Sequence, residues 1–478
     1  MIPTIKEPDQ LFDYIDSKLQ PKEKERKEKG EVFTPLSVVE EILHKLPKKI
    51  WKDHSLKWLD PATGIGNFPI MIYFRLMDGL KKWQPNEEKR RKHILENMLT
   101  MIEINQKSIR TLKKIFCNNE YKLNIYKKSF LKLPSDKLYH IVIGNPPYNE
   151  GGTGRTTGSR MPLWPKFIDK ALEIMTEKEQ SYLAFIHPTG WRKPYSPVTM
   201  QVNIGRIFHT FMEKGSLLYL KMTDEIIPNF PPVDIYIYTN RKNKKTTVDS
   251  EFKQVVSSNQ KIMMNDFIKD DFGFIPSFIN RDTVSIFNKL FKKRNSNDFY
   301  NVQYDAYLVV SNQLLKNRKK GYPHAFYYRE GKYLEVYKYD EKNQKKEYFQ
   351  KPKIIMTFNG STPIGSLNAV YYQKPIGTSA YTMFYIVEGM SKNEIMKHVN
   401  FFNSSLIHFL MVLTQFSPAP RNKNDHKILN RIQIPNLPTN PTDNDIYKYY
   451  KITKKEQGLI NTIIGDSKTK KTKKKKRY

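Results

Sequence analysis

In the first half of the chain, short apolar runs alternate with longer stretches whose apolar positions recur every three or four residues. LKWLD, ending at Asp60, reads as a strand; the Gly-rich PATGIGNF that follows reads as a turn, and MIYFRLMDGLKKW as a helix. MLTMIEIN (98–105) is a second strand, closing on Glu103, and SIRTLKKIFC is a basic helix. LNIYKKSF (123–130) and YHIVIGNPPY (139–148) add two strands, LWPKFIDKALEIM (163–175) a helix, and SYLAFIHPTGW (181–191) a strand with its turn. LLYLKM (217–222) and VDIYIYTN (233–240) complete the series. Strands alternating with helices predict βαβ units, hence an α/β fold with a doubly wound, mostly parallel sheet.

The texture changes at 239–250, TNRKNKKTTVDS, which reads as a basic, turn-rich linker ending a first domain near residue 240. Residues 1–29 read as a polar arm closing on the mixed-charge run PKEKERKEKG, a solvated segment. From 250 to 460, strands and helices mix among many Tyr, Phe and Lys, predicting an α+β domain. The stretch 467–478 is low-complexity lysine and is expected to be disordered. No period of about 20–50 residues recurs.

Composition narrows the function. The chain has 478 residues, room for two to four domains at roughly 150 residues each. Its 81 Lys+Arg stand against 48 Asp+Glu, a net charge of +33, and only eight of those cations lie in 468–478. The body is therefore basic too, which points to a polyanionic partner, most commonly nucleic acid. The single cysteine, Cys117, excludes an internal disulfide framework and a Cys-rich zinc site, and suits a reducing compartment. The N-terminus lacks the basic-then-apolar pattern of a secretory signal. The most apolar run, LIHFLMVL (406–413), is too short for a membrane span. The expected location is the cytoplasm, at the nucleoid, or the nucleus or a viral factory in a eukaryotic host.

Three motifs carry chemistry. DPATGIGNF (60–68) is a strand, a Gly-rich turn and a helix start, where a ligand can approach backbone closely and meet free N–H groups. It is neither G-x-G-x-x-G nor G-K-[ST], which disfavours a dinucleotide or ATP site. Glu103 ends the second strand, where doubly wound folds grip a ribose hydroxyl pair. Asn145-Pro146-Pro147-Tyr148 follows a further strand at the same sheet edge. Its prolines fix the backbone and leave the Pro146 carbonyl without a neighbouring amide donor. The Asn145 side-chain oxygen is a second acceptor, and two acceptors aimed at one point suit an exocyclic amine. Tyr148 offers a flat face for a base.

This set resembles the S-adenosylmethionine-dependent N6-adenine DNA methyltransferases of the γ type, of restriction-modification systems. The family has D-P-A-x-G-x-G, then an acid ending the second strand, then N-P-P-Y; here these are DPATGIGNF, Glu103 and NPPY. GEVFTP (30–35) resembles the family's element over the methionine end of the cofactor, and its upstream position, with the specificity region last, is the γ order. The likeness covers about 30–240. It implies a class I, Rossmann-like catalytic domain at 30–240 and a DNA target-recognition domain at 250–460. Thr34, with Phe33, would contact the methionine end of S-adenosylmethionine; Asp60, Ala62, Gly64 and Gly66 would line its methionine and ribose part, and Glu103 would hold the ribose hydroxyls. Where the family has Asp-Phe near the cofactor adenine, this chain has Ser129-Phe130. Ser129 would bond the amine more weakly, and Phe130 would pack on the ring. Asn145, Pro146 and Tyr148 would be catalytic, with Asn145 also near the cofactor, and Tyr148 would stack on a flipped adenine. Phe230, with Ile227 as its rival by spacing, would cover the base's other face, and the Gly-rich stretch 151–160 would order over the substrate. The resemblance implies double-stranded DNA as partner, and a cognate restriction endonuclease.

Other readings are weighed against this one. NPPY also occurs in methyltransferases acting on RNA, cytosine N4 or protein glutamine, and a non-catalytic DNA-specificity protein is a further alternative. Pro8-Asp9 with Glu25-Arg26-Lys27 imitates a nuclease motif, but no apolar strand carries Glu25 and Lys27. The ten histidines show no metal-binding spacing, so His54 and His187 read as structural and no metal is called for. In the C-terminal half KPKIIMTFNGS, GTSAYTMFYIV, NFFNSSLIHFLM and ILNRIQIPNLP resemble the target-recognition domains of specificity proteins.

Overall fold

Parallel strands covered on both faces must be apolar along their whole length, which is why the continuous runs of the first half become the middle of a sheet. The computed structural model describes residues 2–18, 34–136, 138–149, 162–177, 181–194, 205–223, 232–264, 273–292, 298–305, 321–338, 347–361, 363–415 and 423–474. The chain divides into two compact units: Met1–Trp191 with Ser196–Asp249 and Gln260–Met264, and Arg192–Tyr195 with Ser250–Asn259 and Asn265–Tyr478.

In chain order the elements of the first half are α1 (Pro8–Lys18), α2 (Leu36–Lys45), β1 (Trp58–Asp60), α3 (Asn67–Gly79), α4 (Glu87–His93), β2 (Leu99–Glu103), α5 (Gln106–Ile115), β3 (Asn124–Lys127), β4 (Ile141–Gly144), α6 (Trp164–Ile174), β5 (Tyr182–Pro188), α7 (Arg206–Lys214), β6 (Ser216–Met222), β7 (Val233–Thr239), β8 (Thr246–Phe252) and β9 (Val256–Ile262). The sheet order is β3-β2-β1-β4-β5-β7-β6-β8-β9. β3, β2, β1, β4 and β5 run parallel, and β7 runs antiparallel to both β5 and β6. From β1 the chain builds outward through β2 and β3, then returns to start β4 on the other side of β1. That reversal opens a crevice beyond the carboxyl ends of β1 and β4, where ligands bind in such sheets.

Gly66 is the pivot between turn and helix. It caps α3 with φ at +104°, and a Cβ there would stand 2.7 Å from Leu112 Cδ2 of α5. Gly66→Ala is expected to destabilise the first unit by about 1–3 kcal/mol, the usual cost of forcing a side chain into such backbone, as read from urea unfolding.

The second unit holds α8 (Arg281–Phe291), β10 (Tyr322–Arg329), β11 (Lys332–Lys338), β12 (Lys353–Thr357), β13 (Val370–Tyr372), β14 (Thr382–Ile386), α9 (Lys392–Phe402), α10 (Ser405–Leu413), α11 (Asp443–Tyr449) and α12 (Lys454–Lys474). β10 and β11 form an antiparallel ribbon whose turn residues, Glu330 and Gly331, both have positive φ, as a two-residue hairpin that matches strand twist requires. β12 lies antiparallel between β13 and β14. The apolar run 406–413 is the buried body of α10, packed on α12 and, through Phe409, on Phe287 of α8. Among the described residues no helix is long and apolar enough to cross a membrane.

Three expectations change. The polar arm is part of the core over its described residues: Ile5, Leu11 and Ile15 are buried, and the Ile5 amide donates to the Ile115 carbonyl at 2.9 Å. Two apolar residues one helical turn apart suffice to seat a short helix, a signal its polar composition hides. The linker gives way to a strand: in Thr246–Phe252 alternate residues are buried, Thr246, Val248, Ser250 and Phe252, a period of two written in mostly polar letters. α12 runs on to Lys474, so the first part of the supposed disordered tail is helical. Lysine is a fair helix former, and lengthening an anchored helix needs no new nucleus. Residues 475–478 lie outside the described residues.

Candidate active site

Three strand ends meet at the crevice. Asp60 closes β1, Glu103 closes β2, and Asn145 follows β4. Their closeness depends on small residues. A Cβ on Gly144 would stand 2.8 Å from Asp60 Oδ1 and 3.2 Å from Pro61 Cδ, so only glycine lets β4 end beside that carboxylate.

The Gly-rich turn is tied to the sheet. The Thr63 amide donates to the Ile102 carbonyl (3.0 Å), the Thr63 hydroxyl to the Asp60 carbonyl (3.2 Å), and the Gly66 amide to the Thr63 carbonyl (3.0 Å). Glu103 braces it from β2: Oε2 accepts from the Gly64 amide at 2.7 Å, and Oε1 from the amides of Ile104 (2.8 Å) and Asn105 (2.7 Å). Gly64 itself has φ at +57° and open space where a Cβ would stand. Backbone is thus presented bare to the crevice.

Asp60 is 3% exposed. Its Oδ1 accepts from the Ala62 amide at 3.1 Å, while Oδ2 is buried with no hydrogen-bond partner among the described residues. Burial, with a smaller push from the Glu103 carboxylate, raises its pKa from 3.8 to about 8, against the pull of the Ala62 amide. The folded protein therefore keeps a proton that the unfolded chain has lost. Through the window from about 4 to about 8, stability should fall as pH rises. Asp60→Asn, which cannot ionise, is expected to lose that part of the slope, measured as the difference between the two proteins in urea midpoint at pH 5 and pH 8.

Asn145 follows Gly144, which stands against this carboxylate. Its Nδ2 donates to the Thr34 hydroxyl at 3.1 Å, and its Oδ1 is buried without a partner among the described residues. Thr34, 4% exposed, is held in turn by Asn67 at the start of α3, whose Nδ2 donates to the Thr34 carbonyl at 2.7 Å. No donor among the described residues reaches the Pro146 carbonyl. Tyr148 is half-buried, with its hydroxyl end beside the Asn145 side chain; burial holds that hydroxyl protonated well above its ordinary range.

Of the residues expected at the site, Thr34, Asp60, Ala62, Gly64, Gly66, Glu103, Asn145, Pro146 and Tyr148 gather here. Ser129 is half-buried ahead of the short turn Phe130–Lys132. Phe130 is 1% exposed, its ring centroid 5.3 Å from that of Phe167 of α6. Phe33, Ile227, Phe230 and 151–160 lie outside the described residues, as do Glu25 and Lys27 of the nuclease-like spacing; its Asp9 is in the first turn of α1. Asn67 and Gly144 are additions: Asn67 lies within DPATGIGNF, and Gly144 immediately precedes NPPY. His187 is fully buried, stacked 4.4 Å from Trp164, and burial pushes its pKa down to about 3, a neutral packing group. Among the described residues no group of three or more His, Cys, Asp or Glu is placed to hold a metal ion.

Residues 70–204, which include NPPY, match the family described as Eco57I restriction-modification methylase. An uncharacterized adenine-specific methylase of Mycoplasma pneumoniae is 25% identical across 34% of this chain and 55% of its own length, so the chain spans about half of the curated relative it matches. Among solved structures, the type IIL restriction-modification enzyme MmeI in complex with DNA shares the fold with a TM-score of 0.51 at 10% identity, over 95% of this chain and 78% of that one. The sheet has the class I methyltransferase architecture: parallel over β3, β2, β1, β4 and β5, reversed at β7, with its crevice between β1 and β4.

Proposed function

We propose that the protein is a site-specific, adenine-specific DNA methyltransferase, moving a methyl group from S-adenosylmethionine to N6 of an adenine flipped out of duplex DNA. The observation that carries this reading is a pair of acceptors after β4, Asn145 Oδ1 and the Pro146 carbonyl, that have no donor among the described residues and follow Gly144, which stands against Asp60. Buried acceptors without partners call for donors. An exocyclic amine supplies two, and a cationic amino acid group would draw off the Asp60 proton and pair with its carboxylate.

S-adenosylmethionine fits the residues present. The bare backbone at Gly64 leaves room for it, Glu103 is an acceptor for ribose hydroxyls, Asp60 would face its cationic end, and Ser129 would meet its adenine, with Phe130 as packing beneath. When bound it supplies an electrophilic methyl carbon, and transfer to N6 breaks that carbon's bond to sulfur, leaves the electron pair there and releases one N6 proton to solvent. The protein's own part is positioning and electrostatics. Asn145 and Pro146 accept from the N6 hydrogens, which draws the nitrogen lone pair out of ring conjugation. Tyr148 gives the extruded base a surface to stack on, with Phe230 or Ile227 as the opposite cover. A base inside a duplex cannot reach such a crevice, hence the flipping.

Charge supports DNA as the substrate. A net +33 and a basic, aromatic-rich second unit suit a phosphate backbone, with 250–460 as the target-recognition domain and a restriction endonuclease as functional partner. The test is transfer of labelled methyl from S-adenosylmethionine to duplex DNA by the purified full-length protein. Recovery of labelled N6-methyladenine is the expected result. Label found instead in RNA, in protein or at cytosine N4 would overturn the reading.

A further inference from the structure

We infer that Thr34 is a positioning residue for methyl transfer: anchored by Asn67, it holds the Asn145 side chain by its amide nitrogen and so leaves the oxygen to face the target amine. The inference rests on the reading of this site as an amino-methyltransferase.

An asparagine amide has nearly the same shape in its two flipped orientations but opposite chemistry at each end. Turned one way it offers an acceptor to an exocyclic amine; turned the other it offers two more donors, and the pair repels. The residue itself cannot choose. The Thr34 hydroxyl, itself both donor and acceptor, fixes where the side chain sits, and in the structure it is Nδ2 that bonds it, at 3.1 Å. The amide oxygen is then the end left buried without a bond among the described residues. A hydrogen bond at nitrogen also polarises the amide and makes its oxygen a better acceptor.

Thr34 can do this only if it is itself immobile. It is 4% exposed, and Asn67 fixes its backbone by donating to its carbonyl at 2.7 Å, a buried bond across 33 residues of chain. Asn67 opens α3 directly after Gly66. The chain Asn67–Thr34–Asn145 therefore links the Gly-rich turn, the segment upstream of α2 and the end of β4. The element over the cofactor would thereby govern the methyl acceptor site as well.

The test is a pair of substitutions, each measured for methyl transfer to duplex DNA and, separately, for S-adenosylmethionine binding by calorimetry. Thr34→Val keeps the shape and removes the acceptor; Thr34→Ser keeps the hydroxyl. The expected result is a fall in kcat at saturating cofactor of about 10- to 100-fold for Thr34→Val, over and above any rise in cofactor Kd from its methionine-end contact, and recovery to within about threefold in Thr34→Ser. If the valine variant is unstable, Thr34→Ala repeats the measurement without added bulk. An unchanged kcat in the valine or alanine variant would overturn the inference. So would a loss carried wholly by weaker cofactor binding, which would make Thr34 a cofactor contact. Failure of the wild-type protein to methylate any substrate would instead refute the reading beneath it, an outcome distinct from both.

Discussion

Asn145→Ala is expected to lower kcat for methyl transfer by about 10²–10³-fold, the range found when one preorganised polar partner of a developing charge is deleted. S-adenosylmethionine binding should stay within about threefold, because the lost oxygen faces the amine and not the bulk of the cofactor. Two effects add. The acceptor that draws on the N6 hydrogens disappears, so the nitrogen lone pair stays in the ring system. The Thr34 hydroxyl and the Tyr148 hydroxyl end also lose the amide they adjoin. The Pro146 carbonyl remains, being backbone, and should sustain residual activity. Single-turnover transfer alongside equilibrium cofactor binding separates the two parameters. Retention of more than half the wild-type kcat would show that Asn145 is only a turn residue after β4.

Glu103→Gln should act on the other parameter. Its carboxylate already accepts three backbone amides, from Gly64, Ile104 and Asn105, all at 2.7–2.8 Å. Hydrogen bonds to a charged acceptor contribute about 1.5–3 kcal/mol each. Glutamine can keep one oxygen, but its NH2 must point at one of those N–H groups, donor against donor. The Gly64 turn loses its brace or the β2 end loses its cap. The S-adenosylmethionine Kd is expected to rise about 10- to 100-fold, while kcat at saturating cofactor changes only a few-fold. Titration calorimetry and saturation kinetics on the same variant check the split. A Kd unchanged from wild type would reduce Glu103 to a structural brace.

Much of the first half is legible in its letters. Continuous apolar runs such as HIVIG and YLAFI are central parallel strands because both faces are covered, and their ends carry the motifs because the sheet edge is where backbone is free. Where reading by composition goes astray, the signal is sparse. Leu11 and Ile15 are two apolar residues in a charged arm, yet they seat α1 in the core. TTVDSEF hides a strand in polar residues. Phe130 is aromatic at a place where a ring is wanted, but its burial against Phe167 depends on α6, which lies far off in sequence.

From its sequence alone this protein has its α/β class, its basic character and the three motifs at the strand ends, because periodicity, charge and turn chemistry are local properties. Only the tertiary structure decides what those motifs do to one another. Asp60 holds its proton because strands from both sides close over it, and Gly144 matters because it lets β4 approach. Asn145 finds its buried partner in Thr34, 111 residues away, and Thr34 takes its place from Asn67. Burial, close approach and the pairing of a buried polar atom are contacts between distant segments, and no local pattern in the chain encodes them.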